Sequence, residues 1–103
     1  MSRLAVGLSL ISLVGELLDA LDQAGAANHT VVALWGDHGW QLGEHGEWCK
    51  HTNFDLATNA PMFVRIPGLT DGGIVSSQPT EYLDLMPTLA HAAMGVTVPP
   101  CPA

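Results

Sequence analysis

The sequence predicts an α/β fold, and three observations carry that expectation. Leu10, Leu13, Val14, Leu17, Leu18 and Leu21 recur at the spacing of one helical face. Two short runs rich in β-branched and apolar residues follow, Thr30 to Trp35 and Met62 to Ile66. A second helical pattern, Leu83 to Met94, completes the order α-β-loop-β-α, which fits a slice of a layered α/β domain.

The first helix is expected over residues 8–23, with Glu16, Asp19 and Asp22 on its polar face and a stop at Gly25-Ala26-Ala27-Asn28. Met1-Ser2-Arg3 before the apolar run Leu4 to Val14 has the charge-then-apolar order of a signal peptide. No small-x-small cleavage site follows, and the run is too short to span a bilayer. Its helical spacing continues past Val14, so it reads as the start of the helix and not as a convincing signal peptide. Thr30 to Trp35 is almost wholly apolar, which suits a strand covered on both faces in a parallel sheet. Residues 36–60 show no periodicity and read as a long functional loop. Pro67-Gly68 stops the second strand, and a turn at Asp71-Gly72-Gly73 leads into an extended piece, Ile74 to Ser76. The second helix has Asp84 in its first turn and Gly95 at its stop, and it tolerates Pro87 only if that residue lies in the first turn. Val98 to Pro102, with three prolines, is expected to be extended.

At 103 residues the chain allows one small domain at most, and 48% hydrophobic residues exclude intrinsic disorder. Only 13% of residues are charged, against about a quarter in ordinary globular domains, so the surface looks built to be covered by neighbours. The net charge is −7, and the three cations Arg3, Lys50 and Arg65 are widely separated. No basic patch for nucleic acid or for an anionic membrane is available. Two cysteines, Cys49 and Cys101, are too few for a disulfide scaffold and do not have a zinc-ribbon spacing.

Chemistry concentrates between Trp35 and His51, which hold three of the five histidines, all three tryptophans and the only lysine. Asp37 and His38 lie just past the C-terminal end of a predicted strand, where open α/β sheets bind ligands. A carboxylate and an imidazole there are an oxygen and a nitrogen donor for one divalent cation, although a complete site needs more ligands. His45 and His51 read as structural or supporting residues, and Glu44 and Glu47 as solvated or paired carboxylates. Trp35, Trp40 and Trp48 fit packing better than sugar stacking. Lys50, the lone lysine of an acidic chain, suits an anion anchor.

The pattern Asp37-His38-Gly39-x-x-Leu42-Gly43-Glu44-His45-Gly46-x-x-x-Lys50, followed by Asn53-Phe54-Asp55-x-Ala57-Thr58-x-x-Pro61, resembles the sulfatases, and among them the lysosomal enzymes of glycosaminoglycan degradation. The likeness extends upstream through Val14-Gly15-x-Leu17-Leu18-x-Ala20-Leu21-Asp22 and downstream through Ile66-Pro67-Gly68, Met86 to Ala90 and Val98-Pro99-Pro100. It covers roughly residues 9–103 and leaves residues 1–8 poorly matched.

The resemblance implies an alkaline-phosphatase-like α/β/α sandwich, of which residues 1–103 would be a central fragment. It implies hydrolysis of sulfate esters of glycosaminoglycans such as heparan and dermatan sulfate, by a formylglycine made from a cysteine. It places Asp37 and His38 among the ligands of a divalent metal, calcium in this family, and Lys50 on the substrate's sulfate. Such a cation and an ammonium would neutralise sulfate oxygens as charge develops. A histidine is an unusual calcium ligand, so chemistry alone leaves the ion open. The resemblance further implies a lysosomal or secretory location, an N-glycan on Asn28 of the sequon Asn28-His29-Thr30, and a disulfide from Cys101 to a cysteine outside this sequence.

The departures also bear on function. The nucleophile's Cys-x-Pro-Ser-Arg motif is absent, since neither Cys49-Lys50-His51 nor Cys101-Pro102-Ala103 matches it. The family's paired aspartates, second lysine and further histidines have no counterpart, and Ile11 stands where these enzymes commonly carry an aspartate. The chain is therefore expected to need the remainder of a sulfatase domain and to be inactive alone. Two other readings stay open: a fragment of another phosphoesterase of the same superfamily, and a non-catalytic metal-binding or interaction fragment.

Overall fold

The computed structural model describes residues 3–97 and Pro99, with the side chains of the first helix described from Ser9 onward. The chain forms two compact units, one from Val32 to Arg65 and one from the segments on either side of it.

In the flanking unit, helix α1 runs from Arg3 to Gln23, five residues earlier than the apolar spacing alone predicts. It ends as its sequence requires. Gly25 adopts a left-handed φ of 68°, donating its N–H to the Asp22 carbonyl at 2.8 Å, while Ala26 donates to Leu21 at 3.2 Å. That paired closure satisfies two terminal carbonyls, and only a residue without Cβ enters it at no steric cost. A short 3-10 turn, Ala27–His29, follows, and the Thr30 hydroxyl donates back to the Ala26 carbonyl at 2.9 Å. Asn28 lies exposed in that turn.

The chain re-enters this unit at Ile66, where Thr70 accepts the Ile66 N–H at 2.9 Å and Asp71 accepts that of Gly68 at 2.9 Å. The expected extended piece from Ile74 to Ser76 forms no strand, and all of residues 71–80 are exposed. A 3-10 turn at Tyr82–Asp84, closed by a reciprocal capping box between Glu81 and Asp84, starts the last helix. That helix, which we label α3, spans Leu85–Met94 and ends at Gly95 with φ 65°. Pro87 is its third residue, in the first turn, where its missing N–H leaves no intrahelical bond unmade. Of the expected extended tail only Pro99 is described; Cys101 lies outside the described residues.

The other unit holds the strands. β1 (Val32–Trp35) pairs with β4 (Met62–Arg65) in antiparallel register, Val32 opposite Arg65 and Trp35 opposite Met62. The parallel, doubly covered strand expected from the apolar run is thus corrected on two points. A parallel return needs a crossover that carries the chain back along the sheet, usually on a helix. Residues 36–61 instead spend their length on local structure: strands β2 (Gln41–Leu42) and β3 (Trp48–Cys49), a 3-10 turn at Glu44–Gly46, and one turn of helix, α2 (Asp55–Thr58). The chain then meets β1 head-on, with Gly36 donating to the Pro61 carbonyl at 3.0 Å. The sheet has only these two strands, and Leu34 and Trp35 stay 42% and 46% exposed, so the expected cover on both faces is not formed.

Large apolar side chains remain open to solvent elsewhere too, among them Leu17 at 71%, Ile74 at 70% and Leu83 at 82%. Among the described residues the buried apolar side chains are only the small ones, Ala27 and Ala57. No helix of the described residues is long and apolar enough to cross a membrane.

Candidate functional site

Gly36 ends β1, and Asp37 and His38 emerge at its C-terminal end, the position their sequence predicts. His38 is held from both sides of its ring. Nδ1 lies 2.7 Å from the Gly39 carbonyl and Nε2 lies 2.5 Å from the Lys50 Nζ. A carbonyl only accepts and an ammonium only donates, so these partners assign the proton to Nδ1 and leave the lone pair on Nε2. The Asp37 carboxylate approaches the same nitrogen, with Oδ2 at 3.4 Å, and is 83% exposed against 28% for the imidazole. Asp37, His38 and Lys50, separated by up to thirteen positions in sequence, thus converge on one atom.

The backbone explains the convergence. β2 and β3 pair antiparallel, Gln41 opposite Cys49 and Leu42 opposite Trp48, which returns the chain toward His38. Cys49 takes a left-handed φ of 74°, a turn that directs the chain into Lys50 immediately after the pair. On the other side, Gly39 donates to the Ala57 carbonyl at 2.8 Å. A Cβ on Gly39 would run into the Leu56 carbonyl oxygen and lie 2.8 Å from that of Asn59, so this close approach requires glycine. α2 therefore serves as the stop against which the His38 segment rests.

The donors fit half of a cation site. Two ligands ~2.4 Å from one ion and at right angles lie ~3.4 Å apart, which the Asp37 oxygen and His38 nitrogen match. An oxygen–nitrogen pair suits a divalent ion, but the single Nε2 lone pair is occupied here by the Lys50 ammonium, so a cation could take it only by displacing Lys50. Among the described residues no third His, Cys, Asp or Glu joins them.

The other polar residues of the segment are engaged elsewhere. His45, at φ 58°, stacks on Phe54 with ring centres 4.3 Å apart. The Glu44 carboxylate accepts the Leu42 N–H at 2.6 Å, closing the turn after β2. Glu47 and His51 are exposed. The tryptophans expected to pack are exposed instead, Trp48 at 65% with its ring edge beside Gly43, and Trp40 at 49%, tilted at 6.1 Å from the His38 ring. The Cys49 thiol is exposed and unbridged. Asn28 belongs to the flanking unit and takes no part.

Two residues that sequence reasoning passed over meet beside the site. Gln41 is fully buried, and Thr52 donates its hydroxyl to the Gln41 amide oxygen at 2.5 Å. The only cue in the sequence is a polar residue between Trp40 and Leu42, too short a pattern to reveal which way a two-residue strand faces.

The sulfatase family model matches residues 12–96, most of the chain and all of the segment just described. The chain belongs to the sulfatase family. Its fold class is accordingly that of the alkaline-phosphatase-like α/β domain, of which these helices and small sheets form part. It is 41% identical to human iduronate 2-sulfatase over 86% of its own residues and 20% of that enzyme's. It is 42% identical to a sulfatase of Formosa agariphila over 74% of its residues and 15% of the relative's. With choline-sulfatase of Rhizobium meliloti the identity is 38%, over 78% and 15% respectively. This sulfatase-family chain thus spans about a fifth of the length of the iduronate 2-sulfatases it matches. The human alignment runs over 114 positions, more than the chain's 103 residues, so that enzyme carries additional residues inside the matched stretch.

Proposed function

We propose that the chain supplies the Asp-His metal pair and the sulfate-binding lysine of a sulfuric ester hydrolase acting on glycosaminoglycans, in the manner of iduronate 2-sulfatase. One observation carries this reading: Asp37, His38 and Lys50 meet at the His38 Nε2 atom. Residues 1–103 form a fragment of a single catalytic domain in this proposal, with the remaining ligands and the nucleophile contributed by the rest of such a domain.

Each residue has a physical task. The Gly39 carbonyl holds the Nδ1 proton of His38, which leaves Nε2 as the ligand atom: Lys50 occupies its lone pair here, and a metal would take that place. Asp37 adds a negative oxygen beside it. The Lys50 ammonium, once displaced from His38 by such a metal, would keep three protons to offer an anionic sulfate beside it. A bound divalent cation, calcium in this proposal, supplies charge neutralisation for the sulfate oxygens. Cys49 is not the nucleophile: it lacks the family's Cys-x-Pro-Ser-Arg context, so no formylglycine forms there.

The expected outcome follows. The 103-residue chain takes up calcium weakly in calorimetry, and Asp37→Asn and His38→Ala each remove the heat of binding. Binding that survives both substitutions rejects the pair as ligands. The same chain releases no sulfate from a sulfated disaccharide; release that Asp37→Ala abolishes would overturn its dependence on a larger domain.

A lysosomal or secretory location accompanies this reading, with an N-glycan on Asn28, whose exposed 3-10 turn leaves room for one. Expression through a secretory route adds a glycosidase-sensitive mass that Asn28→Gln removes. Cys101 is proposed to pair with a cysteine outside this sequence. Neither nucleic acid nor a membrane surface is a proposed partner, since Lys50, Arg65 and Arg3 form no basic patch in the sequence.

A further inference from the structure

Gln41 is the one described side chain with no solvent exposure at all, and a buried primary amide must place both of its ends. The Glu44 carbonyl can only accept, so the amide nitrogen faces it, at 3.4 Å, and the amide oxygen is left to receive the Thr52 hydroxyl at 2.5 Å. The backbone of Gln41 meanwhile stands opposite Cys49 in the β2–β3 ladder. Lys50 is therefore bracketed by one residue, through its preceding neighbour in the ladder and through the side chain two positions beyond it. Gln41 itself follows His38 by three positions on the opposing arm. The β2–β3 ladder is only two residues long, so the Thr52–Gln41 bond is what ties the residues just after Lys50 to the His38 arm; the next described hydrogen bond between the two runs from Gly39 to the Ala57 carbonyl.

We infer that Gln41, through Thr52, is a positioning residue that sets the Lys50 ammonium against the His38 imidazole. It touches neither of them and acts by fixing where the Lys50 segment returns. The inference extends the proposed function by naming what assembles the anion-binding half of that site. The test reads the His38–Lys50 contact and not metal uptake, so its outcome is separate from that of the calcium measurement.

Imidazole nitrogen NMR of the 103-residue chain reads the contact directly. Lys50→Ala defines the His38 Nε2 resonance that has lost its donor. Gln41→Leu, close in shape but unable to hydrogen-bond, moves the His38 signal to that same position and removes the Lys50–His38 nuclear Overhauser effect. The backbone resonances of β1 and β4 stay in place. Thr52→Val gives the same loss, and Thr52→Ser, which keeps the hydroxyl, restores the wild-type signal. A purely structural role for Thr52 does not separate Val from Ser in this way. If Gln41→Leu fails to fold, the Val and Ser pair at position 52 decides alone. A wild-type His38 resonance in Thr52→Val overturns the inference, whatever the calcium measurements give; loss of calcium binding with the NMR pattern intact rejects only the metal assignment.

Discussion

The unit from Val32 to Arg65 and the unit flanking it solve opposite problems. The flanking unit consists mainly of helices that satisfy their own backbone, with terminal glycines and a capping box closing their ends. Its apolar side chains, such as Leu17 and Leu83, are left largely uncovered. The strand unit has little regular structure, four strands of two to four residues, but its polar groups are tied across long loops by Gly36, Gly39, Gln41 and Thr52. A helix satisfies its backbone hydrogen bonds locally and takes its stability from packing an apolar face, whereas a binding loop needs specific tertiary contacts even for its hydrogen bonds. Substitutions in the two units should therefore differ in size and in sign.

Gly39→Ala is expected to have the largest effect. The added methyl meets the backbone carbonyls of Leu56 and Asn59, which cannot swing away as a side chain would. Overpacking of this kind costs about 3 kcal/mol, and it separates the His38 segment from α2. Urea unfolding gives the cost, and loss of the Gly39 amide's protection from hydrogen exchange locates it. A wild-type midpoint with the exchange pattern unchanged breaks the argument that the strand unit rests on tertiary contacts.

The same contrast explains what the sequence made legible. The two long helices, α1 and α3, are readable, and so is the stop at Gly95, because spacing, capping residues and glycine are local signals; the single turn of α2 is not. Asp37, His38 and Lys50 were picked out by residue type at a strand end and by the family pattern, and the structure gathers them as a group. The pairing direction of β1 was not legible, since an apolar run says that a strand is covered and not what lies beside it. Nor was Gln41, whose burial depends on Thr52 eleven positions away.

Lys50→Met comes next in magnitude. Lys50 Nζ and a cation need the same lone pair of His38, and both are positive. Removing the ammonium should tighten calcium binding roughly tenfold, close to the ~1 kcal/mol that two unit charges ~4 Å apart exert in water-like surroundings. Titration calorimetry distinguishes this from weaker binding, which would mean that Lys50 supports the metal pair by ordering the loop. Gly95→Ala follows, forcing an L-residue into φ 65° at the end of α3 and costing about 1 kcal/mol, read as a lower thermal midpoint.

The smallest effect should also have the opposite sign. Gly15 lies inside α1, and nothing stands within 4 Å of the position its Cβ would take. Glycine in a helix interior costs about 0.8 kcal/mol relative to alanine, through the backbone freedom it loses on folding. Gly15→Ala should therefore raise the helicity and thermal midpoint of the chain, whereas the same replacement at Gly39 lowers both. The prediction also probes what α1 meets in a larger domain. If Gly15→Ala stabilises the 103-residue chain but impairs a sulfatase domain that contains it, another surface closes on α1 at that glycine. If it destabilises the 103-residue chain itself, α1 already meets a neighbour there, and the division between self-sufficient helices and contact-dependent loops fails at its clearest point.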